Sequence, residues 1–227
     1  MPNKLSKKEL NDIIQWDVKN WKNALSFWEA HFDIKPGMKV LALGEREGGL
    51  SVYFAKKGCE VVCSDYKPMP ESTQNLHKSY GFSDRITYAE VDMRSINYPD
   101  NTFDIVVFKS VMGALVDEND HAKAISEIQR VVKQNGAFLF AENAKASKFH
   151  KYMRKKFVKW AKWSYVSDKE FESWKIKFSK TYAKKIGFIA LFGRSERQRR
   201  FLGGIDLVLN YVTPKSWRYI YLGVFIK

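Results

Sequence analysis

The sequence is short of cysteine, of histidine and of long hydrophobic runs, and each shortage closes off a class of protein. Among its 227 residues are 2 cysteines and 4 histidines. Cys59 and Cys63 lie four apart in an apolar segment with no histidine nearby, so neither a disulfide framework nor zinc-ligand spacing is present and no metal site is expected. Two buried thiols in a reducing compartment are the expectation. No apolar stretch reaches the roughly eighteen residues that span a bilayer. The opening MPNKLSKKELND has no apolar core ahead of a small-residue cleavage site, which predicts no export signal and a cytoplasmic location. The length suits one buried core with peripheral additions.

Acids are scarce in one place only. From residue 144 to residue 200 the chain has 18 Lys and Arg against 4 Asp and Glu, whereas the remainder is balanced at 21 of each. That one segment carries the whole net charge of +14 and is expected to meet an anionic partner or to solvate itself strongly.

What is present reads as an α/β protein. Leu10, Ile13, Ile14, Asp17, Trp21, Leu25 and Trp28 recur at three- and four-residue steps, a helical stripe, with Ser6 and Glu9 placed for a capping box and Pro36-Gly37 as a break. From Met38 short apolar strands alternate with helical segments. Strands are predicted at 40–43, 60–64, 86–91, 103–108 and 137–142, with helices at 50–57, 72–80 and 121–134, the last closed by Asn135-Gly136. Ile205 to Val212 and Tyr219 to Ile226 are β-branched and aromatic runs flanking Pro214, and read as an antiparallel pair. The predicted fold is a Rossmann-like, doubly wound, mostly parallel sheet with an antiparallel C-terminal strand. Its parts are a helical extension (1–35), a cofactor-binding core (36–143), a basic helical insertion or lid (144–204) and a β-hairpin completing the sheet (205–227).

The run Gly44-Glu45-Arg46-Glu47-Gly48 joins the first strand to a helix, where backbone amides can face a bound ligand without a side chain intervening. Asp65 closes the second strand 21 residues after Gly44, the place from which an acid accepts from both ribose hydroxyls of an adenosine cofactor. The loop alone does not separate nicotinamide from other adenosine cofactors.

Its context does. VLALGEREGGLSVYFAKKGCEVVCSDYKP, then ITYAEVDMRSINYPDNTFDIVVFKSVMGAL and EIQRVVKQNGAFLFAEN, resemble the class I S-adenosylmethionine-dependent methyltransferases over roughly residues 38 to 143. The resemblance implies S-adenosylmethionine as cofactor, with Gly44 and Gly48 beside its methionine part and Asp65 on its ribose. It implies Asp92 at the adenine amino group, Met93 against the ring with Tyr66 on the other face, and Lys109 and Ser110 facing the methionine tail and the substrate. Two positions depart from the pattern: Ala42 stands where the family has an acid and Arg46 where it has a glycine. Arg46 would be strained if that position has positive φ. Glu45 or Glu47 is a candidate replacement for the missing acid near the cofactor's ammonium group. The opposing reading is a degenerate pocket.

Methyl transfer from a sulfonium gains most from alignment and desolvation, and a base is needed only where the acceptor must lose a proton. The candidates near strand ends are His150, Glu142 and Lys109, with His121 less directly placed. No Asn/Asp-Pro-Pro-aromatic tetrapeptide follows the fourth strand and neither cysteine is placed as a nucleophile, which leaves an O or N acceptor.

In the basic segment Phe149, Tyr152, Met153, Phe157, Trp160, Ala161 and Ser164 fall at helical steps, with Lys148, Lys151, Arg154, Lys155, Lys159 and Lys162 largely between them. Such a helix suits an anionic membrane, a phosphate backbone or a lid whose lysines are merely solvated. Arg194, Arg197, Arg199 and Arg200 add forks suited to phosphate. The expected function is methylation of a small or lipid-linked anionic acceptor, with peripheral contact to an anionic membrane. RNA methylation gripped by the basic segment is the alternative, with nucleic acid the second choice of partner, and a cofactor-binding protein without turnover is a third reading.

Overall fold

The computed structural model describes residues 5–157 and 163–227. Along the chain run α1 (Lys7–Ile14), α2 (Val18–Trp21), α3 (Asn23–His31), β1 (Lys39–Leu43), α4 (Gly49–Lys56), β2 (Glu60–Asp65), α5 (Glu71–Ser79), β3 (Ile86–Glu90), β4 (Phe103–Lys109) and α6 (Glu118–Val131). Then follow β5 (Val132–Asn143), α7 (Lys148–Phe157), α8 (Asp168–Lys175), β6 (Lys180–Ile186), α9 (Glu196–Val212) and β7 (Ile220–Ile226).

The described strands form a seven-stranded sheet in the order β3-β2-β1-β4-β5-β7-β6. β1 to β5 pair in parallel, β7 is antiparallel to both of its neighbours, and so only β7 runs against the rest. Alternation along β1 shows how the sheet is covered on both faces. Val40 and Ala42 pack into a core with α1 to α4, whereas Leu41 and Leu43 pack into a second core with α6 and α8.

The leading stripe is buried as expected: Ile13, Ile14, Trp21 and Trp28 are fully enclosed. The capping box is present, with Glu9 N donating to Ser6 Oγ at 3.2 Å and Ser6 N to Glu9 Oε2 at 2.7 Å. The stripe is not one helix. Gln15 and Asp17 adopt positive φ of 71° and 44°, which breaks α1 from α2, while α3 follows α2 after Lys22, and the chain folds over the rim of the sheet. There Ile13 O lies only 2.5 Å from where a Cβ on Gly49 would stand, so α1 rests directly on the start of α4.

Three expectations are corrected. The strand predicted at 137–142 begins already at Val132, since Asn135 takes a left-handed φ of 61° within the strand and the β4–β5 register shifts there instead of a loop forming. Residues 205–212 are not a strand but the second half of α9, and the partner of β7 is β6, which the sequence reading left unassigned. The predicted basic helix begins as α7, whereas Ser164 is outside any helix and its amide donates to Gly113 O at 2.9 Å. Lys159, Trp160, Ala161 and Lys162 of that prediction lie outside the described residues.

Candidate active site

The carboxyl ends of β1, β2, β4 and β5, with Asp92 just beyond β3, bring most of the predicted residues to one rim. Gly44 and Gly48 both take left-handed φ, of 64° and 70°, and so give the loop a shape that side-chain-bearing residues resist. Arg46 does not share it: its φ is not positive, so the strain expected of an arginine at that place is absent. Its side chain and that of Glu47 are exposed.

Glu45 turns inward. Its carboxylate accepts from Ser51 N at 2.9 Å and Ser51 Oγ at 3.3 Å, so the acid of the loop seats itself on the N-terminus of α4. Burial raises its pKa, with the Ser51 amide and the Lys109 ammonium working the other way. Glu142, fully buried at the end of β5, is similarly engaged. Oε2 accepts from Val111 N and Met112 N, both at 2.8 Å, and Oε1 from Asn143 N at 2.6 Å. These bonds hold the turn after β4, where Ser110 has a left-handed φ of 58°. Glu142 is therefore a brace for that turn and has little acceptor capacity left for a substrate proton, which corrects its place among the candidate bases.

Lys109 is the last residue of β4 and half-buried. Its Nζ lies 5.4 Å from the ring centroid of Trp21, which α2 brings over the rim. Burial lowers its pKa, opposed by the charges of Glu45 and Glu142. Next to it, Ser110 Oγ accepts from Asn143 Nδ2 at 2.7 Å. Neither Trp21 nor the brace by Glu142 could be found from sequence, since a tryptophan in a helical stripe and an acid ending a strand have no spacing signal of their own.

Asp65 receives Lys67 N on Oδ1 at 3.1 Å and keeps Oδ2 free among the described residues, an arrangement that suits ribose hydroxyls. Tyr66 beside it is exposed and Met93 is buried. Asp92 is already straddled by Arg94, with Nε at 2.9 Å from Oδ1 and Nη2 at 2.8 Å from Oδ2, while Nη1 reaches Asp120 at 3.0 Å. The guanidinium holds the Asp92 carboxyl below its ordinary pKa, and an adenine amino group would compete with it for the same oxygens. The Asp-x-Arg spacing was the available signal.

Two candidates stand elsewhere. His150 is fully buried between α7 and the segment after β6, with Ser147 Oγ at 2.7 Å from Nδ1 and Phe188 O at 2.6 Å from Nε2. With both nitrogens occupied and the ring stacked on Phe192, it pins α7 in place, which corrects its reading as the foremost base. His121 is paired with Glu170 of α8; burial works against its charge, but the carboxylate prevails and its pKa is raised. Cys59 and Cys63 are free and buried, and burial pushes the Cys59 thiol up to about 11.

Beyond Asn143 the rim continues into a cavity of about 790 Å³ lined by residues including Lys145, Lys148, Phe149, Asp168, Phe188 and Trp217. It offers aromatic walls and two lysines on the side of the sheet where the excess positive charge lies.

Residues 41–140 match the family model described as a methyltransferase domain. The ubiquinone/menaquinone biosynthesis C-methyltransferase UbiE of Shewanella sp. (strain W3-18-1) is 28% identical over 155 residues, covering 64% of this chain and 57% of that protein. The chain thus spans a little over half the length of that relative. The glycine/sarcosine/dimethylglycine N-methyltransferase of Actinopolyspora halophila is 27% identical over 48% of this chain and 19% of its own length. Among solved structures, the Haemonchus contortus phosphoethanolamine N-methyltransferase 2 superposes with a TM-score of 0.64 at 16% identity, covering 91% of this chain and 53% of that one. With the glycine loop, the acids at or just past the strand ends and the reversed β7 in their places, residues 41–140 are similar to a methyltransferase domain, and the sheet has the fold of the superposed methyltransferase.

Proposed function

We propose that this protein binds S-adenosylmethionine at the rim of β1, β2 and β4 and transfers its methyl group to an oxygen or nitrogen of an anionic acceptor. The observation that carries this reading is the loop with left-handed Gly44 and Gly48 beside Asp65, whose second carboxylate oxygen has no partner among the described residues. The cofactor supplies an activated methyl on a sulfonium. The loop backbone would run beside its methionine part, with Val111 and His77 packed where side chains on Gly44 and Gly48 would stand; Asp65 would hold the ribose, and Met93 and Tyr66 would flank the adenine. Glu45 is spoken for by Ser51 and sets the start of α4, while Glu47 points to solvent.

Lys109 is the residue of this rim suited to the acceptor's proton. Burial lowers the pKa of Lys109, and in its deprotonated form its amine would take the acceptor's proton while the cofactor supplies the methyl group. Trp21 above it excludes water from one side. The acceptor would enter from the cavity beyond Asn143, where Lys145 and Lys148 suit an anionic group and Phe149 and Trp217 an apolar one. A small phosphorylated molecule or a lipid-linked one fits this description. The named relatives act on carbon and on nitrogen, so the acceptor atom is part of the proposal.

The test is transfer of labelled methyl from S-adenosylmethionine into fractionated polar lipids and phosphorylated small molecules, with wild type and Lys109→Met compared. We expect transfer with release of S-adenosylhomocysteine, a kcat about a hundredfold lower in the variant and a wild-type rate that rises with pH as Lys109 loses its proton. Cofactor binding without transfer to any fraction would favour a second reading, a cofactor-binding protein without turnover. The observation on its side is that two of the three candidate bases, Glu142 and His150, are held in structural hydrogen bonds.

A further inference from the structure

α9 is built inside out. The residues it turns toward the protein are Gly203, Asp206 and Asn210, and they hold it by hydrogen bonds. Asp206 accepts from Ile189 N at 2.8 Å, Ala190 N at 3.1 Å and Asn20 Nδ2 at 2.8 Å, and Asn210 Oδ1 accepts from Gly187 N at 2.8 Å. In its first turn Glu196 accepts from the amides of Asp17 at 2.8 Å and Val18 at 2.9 Å. The residues it turns to solvent are Phe201, Ile205, Val208, Tyr211 and Val212, one stripe at three- and four-residue steps. Phe201 is 71% exposed, Val208 65% and Tyr211 90%. A single exposed apolar side chain needs no explanation, but a continuous stripe on a helix whose polar side is buried does.

The charges around this stripe have one sign. Arg194, Arg197 and Arg200 are exposed at its beginning and Lys215 just past its end. The acids of the same stretch, Glu196 and Asp206, are engaged by the inward hydrogen bonds. Phe149 of α7, 53% exposed, meets Phe192 at 5.7 Å just before α9 and extends the apolar surface.

We propose that the outward face of α9 is a docking surface for an anionic lipid bilayer, with the helix lying in the headgroup plane, its stripe toward the acyl chains and its cations on lipid phosphates. Charge complementarity selects this occupant. A second copy of the chain would bring like charges together whichever way two such helices paired, because the stripe has cations at both ends. A bilayer of anionic lipid satisfies the apolar stripe and the cations at once. None of the α9 residues on this face is assigned to the cofactor or to Lys109, and the inference does not depend on the reaction proposed there.

The experiment is flotation of the full chain with vesicles of phosphatidylcholine alone and of phosphatidylcholine with phosphatidylglycerol, for wild type and the triple variant Phe201→Ser, Val208→Ser, Tyr211→Ser. These side chains are exposed, so the variant should keep its circular dichroism and melting temperature. We expect binding to the anionic vesicles alone, falling with added salt, and at least about tenfold weaker in the triple variant. A second variant, Arg197→Gln with Arg200→Gln, should lose binding and its salt dependence together. Failure to bind anionic vesicles overturns the proposal, as does binding that the triple variant leaves unchanged. So does a concentration-dependent dimer in light scattering that the triple variant abolishes, or retention on RNA with indifference to vesicles.

Discussion

α4 and α9 both abut the carboxyl rim of the sheet, and they are attached to it by opposite means. α4 buries Leu50, Val52, Tyr53, Phe54 and Ala55, and its polar ties to the glycine loop are at its first turn, the Ser51 amide and hydroxyl on the Glu45 carboxylate and Val52 N on Gly48 O. α9 buries Asp206 and Gly203 and leaves its large apolar side chains outside. The first helix is held by the transfer of apolar surface from water, the second by a polar network that reaches Asn20, Asp17 and Tyr219 under α2. One part of the rim is thus a packed floor for a cofactor, and the other presents a surface.

The sharpest way to break this contrast is to cut each helix at its inward side. Phe54→Ala should cost about 4 kcal/mol, a cavity beneath α4. Asp206→Ala should cost about 3 kcal/mol by orphaning the Ile189 and Ala190 amides and the Asn20 side chain. Urea denaturation measures both. If Asp206→Ala were neutral, α9 would not be held by its polar side.

A smaller effect lies in the network itself. Burial, reinforced by Asp206 and Glu196, pushes the Asp17 carboxyl up to about 7, against the Tyr219 hydrogen bond that favours its ionised form. An acid whose folded value exceeds its unfolded one costs nothing below the unfolded value, and the cost grows as pH rises from about 4 to about 7. Asp17→Asn should therefore match wild type near pH 4 and exceed it by about 2 kcal/mol at pH 8, read as the difference between the two stability profiles. A constant difference across that range would mean that Asp17 does not titrate in the folded protein. Smallest of all should be Val208→Ser, within about 0.5 kcal/mol of wild type, because the side chain it shortens is mostly in water.

The same contrast decides what was legible in the sequence. The core from β1 to β5 could be read because its apolar residues face inward at the expected periods, and Asp65 ends β2 and Asp92 follows β3 where the resemblance puts them. α9 was misread as a strand over residues 205–212. With Asp206 and Asn210 as its inward residues and the apolar ones outside, the helical period carried no core signal, and β-branched content argued for a strand. β6 was missed for a related reason: Lys180, Lys184 and Lys185 interrupt any apolar run, although Lys185 is itself buried against Asp168 at 2.9 Å. At the site, spacing pointed to Lys109 and Glu142 but not to their roles, which depend on backbone amides and on Trp21, far away in sequence. His150 looked free because neither Ser147 nor the Phe188 carbonyl can be paired with it from sequence alone. Arg46 looked strained because a departure from a glycine pattern was taken with the φ of the glycine it replaces.

The central claim is that the rim at Gly44, Gly48 and Asp65 holds S-adenosylmethionine. Calorimetric titration of the full chain with S-adenosylmethionine tests it most directly, with Asp65→Ala measured beside wild type. The account predicts saturable binding at one site, weakened about tenfold or more in the variant as the ribose loses its acceptor. Absence of binding by the wild type, or binding that Asp65→Ala leaves unchanged, would contradict it.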